Sequence, residues 1–285
     1  MIRTRRIRRL KESLTQFPDV APPSLLLLAS EPRAVWEFWA GVGMFWPLVR
    51  LAPKGHGEPV LVIPGLGASD LSTSLLRRFL DALGYVTYPW GMGRNKGVKD
   101  ELESALSQRL EVIHAKHGQA VSIIGQSLGG VFARELARMA PDKVRQVITL
   151  GSPIGGHPLA TTGHHLYEWL SGDRLENMDF NRHLQIRVKP PVPTTAVYSR
   201  LDGVVSWQCA MEQDVEGGES IHLRGNTHCG MASSPTALYL IAERLASGAA
   251  GWSAYRPRGL ARLAFGTKPP ARRRKGTSTS PAHPQ

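Results

Sequence analysis

The chain contains only two cysteines, Cys209 and Cys229, among its 285 residues. This count excludes a disulfide-stabilised scaffold, and the two residues lack the close spacing of metal-binding cysteine pairs. We therefore expect two ordinary thiols in a reducing compartment, and a protein that needs neither a metal nor another cofactor.

Long apolar runs are also missing. The segment "SLLLLA" (residues 24–29) is too short for the core of a secretory signal, and the charged Glu31 comes two residues after it. The aromatic-rich stretch 34–51 carries Glu37 and falls short of a membrane span. We expect this stretch to form helices that pack on the body of the protein, with an interfacial position at a lipid boundary as the alternative.

Acidic residues are absent from both ends of the chain. Residues 1–11 hold six Lys and Arg and residues 252–285 hold eight, so the two ends together carry a charge of +14. Because the net charge of the whole chain is +12, residues 12–251 carry −2. A nearly neutral body argues against nucleic acid as a partner. The basic ends instead suggest peripheral contact with an anionic membrane. We expect a cytoplasmic location, which such contact would make peripheral at the inner membrane face.

Strand and helix patterns alternate between residues 58 and 247, which predicts an α/β fold with a mostly parallel sheet of roughly six strands flanked by helices. The polar, His-rich insertion at about 152–190 breaks this pattern and is predicted to form a short cap. Residues 1–57 are predicted to form a basic arm followed by an apolar helical segment. Residues 248–285 are rich in Gly, Ser, Pro and Arg, which predicts a basic tail with little structure.

The stretch "IIGQSLGGVFARELA" (residues 123–137) passes from an apolar strand pattern into a helical pattern at Ser127. Gly125 and Gly129 flank this serine at two positions on either side. Small residues there let the chain turn sharply without clashing with the strand and helix around it. A strand, a sharp turn and a helix are the context expected of a serine nucleophile, whereas the alternative is a turn that merely contains serine. We predict that Ser127 is a nucleophile.

A serine hydroxyl needs a base to accept its proton and a third group to orient that base. In a parallel sheet such groups follow the carboxyl ends of strands. Asp202 follows the predicted strand "TTAVYS", and we prefer it to Asp214, which lies near the start of a strand. His228 follows the last strand of the series and is preferred as the base to His222, which lies inside that strand. Three further histidines fall in the insertion and lack the expected place of a base: His157, His164 and His165.

A developing oxyanion also needs hydrogen-bond donors. The backbone N–H of Leu128 lies at the amino end of the predicted helix, where the helix dipole favours negative charge. The loop "PGLGASD" after the first strand is expected to supply the second donor. We predict the N–H of Leu66 for this role, with Gly67 as the alternative.

Five segments, taken in order, make the stretch from about 58 to 247 resemble the α/β-hydrolase superfamily: "VLVIPGLG", "IIGQSLGGVFAREL", "VITLGSPIGG", "YSRLDGVV" and "NTHCGM". Within it, the chain is similar to bacterial triacylglycerol lipases and GPI inositol-deacylase-like esterases. The resemblance implies hydrolysis of carboxylic esters, with Ser127 as nucleophile, His228 as general base and acid, and Asp202 as its orienter. Two features depart from the pattern: Gln126 stands where many lipases have His, and no His-Gly pair opens the oxyanion loop.

We therefore expect a serine hydrolase acting on small-molecule or lipid esters. Two alternatives remain open from the sequence: an acyltransferase or thioesterase with the same triad, and a catalytically inactive, membrane-associated scaffold. A nucleotide-binding oxidoreductase is excluded because "GLGASD" lacks the third glycine of the dinucleotide motif.

Overall fold

Strands and helices alternate along the chain in a computed structural model, which describes residues 20–97, 100–155, 162, 185–212, 216–247 and 251–267. The strands are β1 (Pro59–Ile63), β2 (Val86–Pro89), β3 (Val121–Gln126), β4 (Val144–Leu150), β5 (Thr194–Tyr198), β6 (Gly218–Leu223) and β7 (Phe265–Thr267). The helices are α1 (Leu25–Ala29), α2 (Ala34–Gly43), α3 (Phe45–Leu51), α4 (Ser74–Ala82), α5 (Asp100–His117), α6 (Leu128–Met139), α7 (Pro235–Ser247) and α8 (Ala261–Ala264). Most of the predicted cap, including His157, His164 and His165, lies outside the described residues, and so does Asp214.

The strands form one seven-stranded sheet in the order β2-β1-β3-β4-β5-β6-β7. The first six strands pair in parallel and β7 pairs antiparallel with β6. The prediction of a mostly parallel sheet is confirmed, but the predicted strand count is one too low. Strand β7 departs from the prediction of a tail with little structure from residue 248. Phe265 is buried there with its ring 5.8 Å from that of Tyr255, so two aromatic side chains hold a strand in a Gly- and Pro-rich stretch.

Two apolar layers cover the two faces of this sheet, because successive strand residues point to opposite sides. One layer contains Val60 and Val62 of β1 with α3, α4 and α7, whereas the other contains Leu61 and Ile63 with α5 and α6. In the parallel part of the sheet, the carboxyl ends of the strands lie at one edge. That edge carries Ser127 after β3, Asp202 after β5 and His228 after β6.

The predicted apolar segment before residue 57 forms α1, α2 and α3. Helix α3 buries Leu48 and Val49 in the core, whereas α2 buries only Gly41 and α1 buries no residue. Among the described residues, no helix is both long and apolar enough to cross a membrane.

Candidate active site

Ser127 occupies the sharp turn between β3 and α6, with φ 50° and ψ −123°. It is the one residue other than glycine with a positive φ in the described part of the chain. The two flanking glycines are required by space. A Cβ on Gly125 would lie 2.3 Å from the carbonyl oxygen of Gly129, and a Cβ on Gly129 would lie 2.4 Å from that of Ile63. A strained backbone held by close packing is typical of functional turns, and this turn has the strand–turn–helix form that the sequence predicts.

Asp202 and His228 are buried and hydrogen-bonded to each other, with 2.7 Å between Asp202 Oδ2 and His228 Nδ1. The other carboxylate oxygen, Oδ1, accepts hydrogen bonds from the N–H groups of Val204 and Val205 at 2.8 and 2.7 Å. Gly151 lies against the pair at φ 58°, and a Cβ there would come within 3.0 Å of both side chains. The carboxylate is thus fixed at both oxygens and holds one ring nitrogen of the histidine.

The pKa of His228 is raised above its ordinary value of 6.5. Burial, the largest single influence, lowers this pKa, but the charge and hydrogen bond of Asp202 and the charge of Glu31 together outweigh it. The protonated form of the imidazole is therefore stabilised. A group that accepts a proton during a reaction needs such stabilisation.

Two carboxylates from the N-terminal helical segment hold the loop that carries His228. Glu31 Oε1 accepts hydrogen bonds from the N–H groups of Gly203 at 2.8 Å and His228 at 2.9 Å, and its Oε2 accepts one from Cys229 at 3.1 Å. Glu37 accepts from the N–H of Thr227 at 3.0 Å. Glu31 therefore ties the loop after β5 to the loop after β6, next to both members of the Asp–His pair.

In the sequence, these two glutamates are recognisable only as interruptions of an apolar segment. A carboxylate that binds backbone N–H groups leaves no spacing pattern in the sequence, because any residue type can supply the donors. Gln126, noted as a departure from the lipase pattern, also contacts this loop: its Nε2 donates to the carbonyl oxygen of His228 at 3.4 Å.

The loop after β1 lies against the serine turn, since a Cβ on Gly65 would be 3.2 Å from the Cβ of Ser127. The N–H of Gly67 donates to the carbonyl oxygen of Asn95 at 2.8 Å, so this N–H is already used. Within the described part of the chain, the N–H of Leu66 has no hydrogen-bond acceptor. This difference favours Leu66 over Gly67 as an oxyanion donor.

Asn95 is fully buried and fixes this loop in place. Its side chain donates to the carbonyl oxygen of Pro64 at 3.0 Å, and its own N–H donates to that of Ala68 at 2.8 Å. Its role is not evident from the sequence, although it lies in a glycine-rich stretch after β2.

Solved structures with the same arrangement of strands and helices include two lipases. The monoacylglycerol lipase of Paleococcus ferrophilus is 16% identical with a TM-score of 0.51, over 68% of this chain and 97% of the lipase. Lipase B of Aspergillus fumigatus is 19% identical with a TM-score of 0.53, over 68% of this chain and 53% of the lipase. The chain has the α/β-hydrolase fold.

A family model described as a PGAP1-like alpha/beta domain also matches residues 99–189 of the chain. That range contains the Ser127 turn and most of the predicted cap. The resemblance to the α/β-hydrolase superfamily is thus confirmed. At these identities the solved structures establish the fold.

The structure brings Asp202 and His228 into contact. Of the two candidate oxyanion donors, Leu128 directly follows Ser127, and Leu66 follows Gly65, which lies against the serine turn. His222 lies within β6, as expected, where its ring stacks on Tyr198. The catalytic roles of these residues stay predictions. Among the described residues, no group of His, Cys, Asp and Glu side chains has the arrangement of a metal site.

Proposed function

We propose that this α/β-hydrolase is a serine hydrolase that cleaves carboxylic esters, with lipid or acyl esters as the substrate class. The observation that carries the proposal is the 2.7 Å hydrogen bond from His228 Nδ1 to Asp202 Oδ2, at the same sheet edge as Ser127. Because Asp202 accepts the proton on Nδ1, the lone pair of the neutral ring is on Nε2.

In this mechanism Nε2 of His228 takes the proton of Ser127 Oγ while that oxygen attacks the ester carbonyl carbon. The C–O bond to the alcohol then breaks, and the alcohol oxygen leaves with the proton held on Nε2. Water repeats the sequence on the acyl-enzyme, with the same nitrogen first accepting a proton from water and then returning it to Ser127. The raised pKa of His228 suits this role, since the imidazolium must persist between the two proton transfers.

The negative charge that develops on the carbonyl oxygen is assigned to the N–H groups of Leu128 and Leu66. Leu128 is the first residue of α6, where backbone N–H groups have no partner within the helix. Leu66 precedes the residue whose N–H is bonded to Asn95, and its own N–H lacks an acceptor within the described ranges.

Replacing Ser127 with alanine tests the proposal. Ser127→Ala removes the attacking oxygen and keeps the backbone, so we expect turnover of p-nitrophenyl esters to fall by about 10⁴-fold or more with the fold intact. A fluorophosphonate probe should label the wild-type chain at Ser127 and leave the variant unlabelled. A variant with more than a tenth of wild-type turnover would remove Ser127 from the mechanism, and a folded wild type that the probe does not label would favour an inactive scaffold.

Transfer to an acceptor other than water is distinguished by product analysis. Adding an alcohol or a thiol to the ester assay should leave the free acid as the main product if the enzyme is a hydrolase. A transferred acyl group as the main product would favour the acyltransferase alternative. A cytoplasmic location and contact of the basic ends with the inner membrane face stay predictions from the sequence.

A further inference from the structure

Helix α2 points its large apolar side chains away from the body of the protein, whereas a helix that packs on a core points them inward. Its inward stripe consists of Ala34, Glu37 and Gly41, at positions i, i+3 and i+7. A Cβ on Gly41 would lie 2.0 Å from the carbonyl oxygen of Ser233, so the helix backbone packs directly on the loop that precedes α7. The aromatic side chains of the same helix point outward, and Trp36 is 76% exposed. A helix with a half-buried glutamate on its inner side and exposed tryptophans on its outer side has its apolar surface on the outside.

This exposure is concentrated in one segment. Of the 18 large apolar side chains exposed in the described part of the chain, ten lie between residues 25 and 46. We call the six most exposed of them the apolar N-terminal face: Leu25, Leu26, Val35, Trp36, Trp39 and Trp46. Isolated exposed apolar residues are normal on a soluble protein, but so many of them on three successive helices indicate an interaction surface.

The exposed charged side chains between residues 20 and 57 are all basic. The only acids between residues 20 and 57 are Glu31 and Glu37, and both are bound to the loops beside the candidate active site. Arg33 and Arg50 are exposed within the segment, and residues 1–11 add six Lys and Arg without an acid. Tryptophan with neighbouring cations and no free acid is the composition of helices that lie in the interface of an anionic membrane.

A second copy of the chain fits this face poorly. A symmetric dimer would bring the same patch of both partners together, and with it two sets of cations that repel each other. An anionic lipid surface offers apolar depth to the tryptophans and negative charge to the arginines at the same time.

We propose that the apolar N-terminal face docks this protein on an anionic lipid surface. The inference goes beyond the proposed ester hydrolysis and depends only on surface geometry and charge. If both hold, the docked helices place the candidate active site next to the lipid, since Glu31 and Glu37 lie in the same segment and hold the His228 loop.

Co-sedimentation of the full chain with vesicles tests the proposal. We expect binding to phosphatidylglycerol vesicles at low salt, weaker binding at high salt, and little binding to phosphatidylcholine. Trp36→Ala combined with Trp39→Ala should weaken binding by about tenfold or more, because both rings lose their place in the interface. Brominated lipids should quench tryptophan fluorescence of the wild type more than that of the double variant.

The matched control is Val112→Ala combined with Met139→Ala. These residues are similarly exposed on α5 and α6, which cover the other face of the sheet, and their replacement should leave vesicle binding unchanged. Equal binding of the tryptophan variant and the wild type would overturn the proposal. So would a wild type that ignores vesicles and instead forms a dimer that the tryptophan substitutions dissociate.

Hydrolysis of a soluble short-chain ester, measured on the same preparations, separates this proposal from the proposed function. The tryptophan variant should hydrolyse that ester at the wild-type rate. Vesicle binding without any ester hydrolysis would refute only the enzymatic proposal, and hydrolysis without vesicle binding would refute only the docking face.

Discussion

Replacing Asp202 with asparagine exchanges one carboxylate oxygen for an NH₂ group. The hydrogen bonds of the structure determine which of the two oxygen positions this NH₂ group takes. Oδ1 accepts hydrogen bonds from the N–H groups of Val204 and Val205 at 2.8 and 2.7 Å. Turning the amide so that its NH₂ faces these two donors would leave both unsatisfied, at about 1–3 kcal/mol each. The amide oxygen therefore stays on that side, and Nδ2 takes the place of Oδ2 beside His228 Nδ1, which was 2.7 Å away.

An amide NH₂ at this place donates to Nδ1 and so favours the imidazole tautomer with its proton on Nε2. That tautomer cannot accept the proton of Ser127. We expect turnover of a p-nitrophenyl ester to fall by about 10⁴-fold, which corresponds to about 5.4 kcal/mol of transition-state stabilisation. The two backbone hydrogen bonds persist, so urea unfolding should show a folded variant.

The control for this substitution is Asp214→Asn, at the rival acid, which lies outside the described residues. It should leave turnover near the wild-type value. An Asp202→Asn variant that keeps more than a tenth of wild-type turnover would refute the reasoning. An inactive Asp214→Asn beside an active Asp202→Asn would transfer the orienting role to the later loop.

Two further predictions concern the groups around the triad candidates. The charge of Glu31 raises the pKa of His228, and His228 must be neutral to act as a base. Glu31→Gln should therefore move the acid limb of the kcat/KM–pH profile to lower pH. The control is Glu37→Gln, which removes a carboxylate bound to Thr227 and should leave that limb in place. An acid limb that Glu31→Gln does not move, or moves upward, would contradict this electrostatic role. Asn95→Ala removes the hydrogen bond to the carbonyl oxygen of Pro64 and should lower the free energy of unfolding by about 1–3 kcal/mol; it should also lower kcat by about 10–100-fold through a displaced oxyanion donor. Full kcat in a less stable Asn95→Ala chain would mean that this loop carries no donor.

The candidate site residues that could be predicted from the sequence are those that directly follow a predicted strand. Ser127 stood out because two glycines frame it between a strand and a helix pattern. Asp202 and His228 stood out because each follows a strand, and a parallel sheet collects strand ends at one edge. Their mutual contact then follows from β5 and β6 being neighbours in the sheet.

Other parts of the site depend on long-range contacts that no periodic pattern in the sequence indicates. Glu31 accepts a hydrogen bond from the backbone N–H of His228, 197 positions away. Almost any residue at that position would offer the same N–H, so its side chain gives no sign of the contact. Asn95 acts in the same way on the carbonyl oxygen of Pro64. Strand β7 was missed because its pairing and the packing of Phe265 on Tyr255 outweigh the local preference of a Gly- and Pro-rich stretch.

The binding of the His228 loop by Glu31 has a consequence for the order in which this protein folds. During synthesis the N-terminal helices leave the ribosome first, but the backbone donors that Glu31 holds emerge only after nearly 200 more residues. Pairings so distant in sequence form late, because the entropy of closing the long intervening segment must be overcome first. A nascent chain stalled before β6 lacks the loop that carries the histidine. The proposed activity should therefore require a chain that extends past β6, and proteolytic removal of α1 and α2 from the folded protein should abolish it with all three triad candidates still covalently in place.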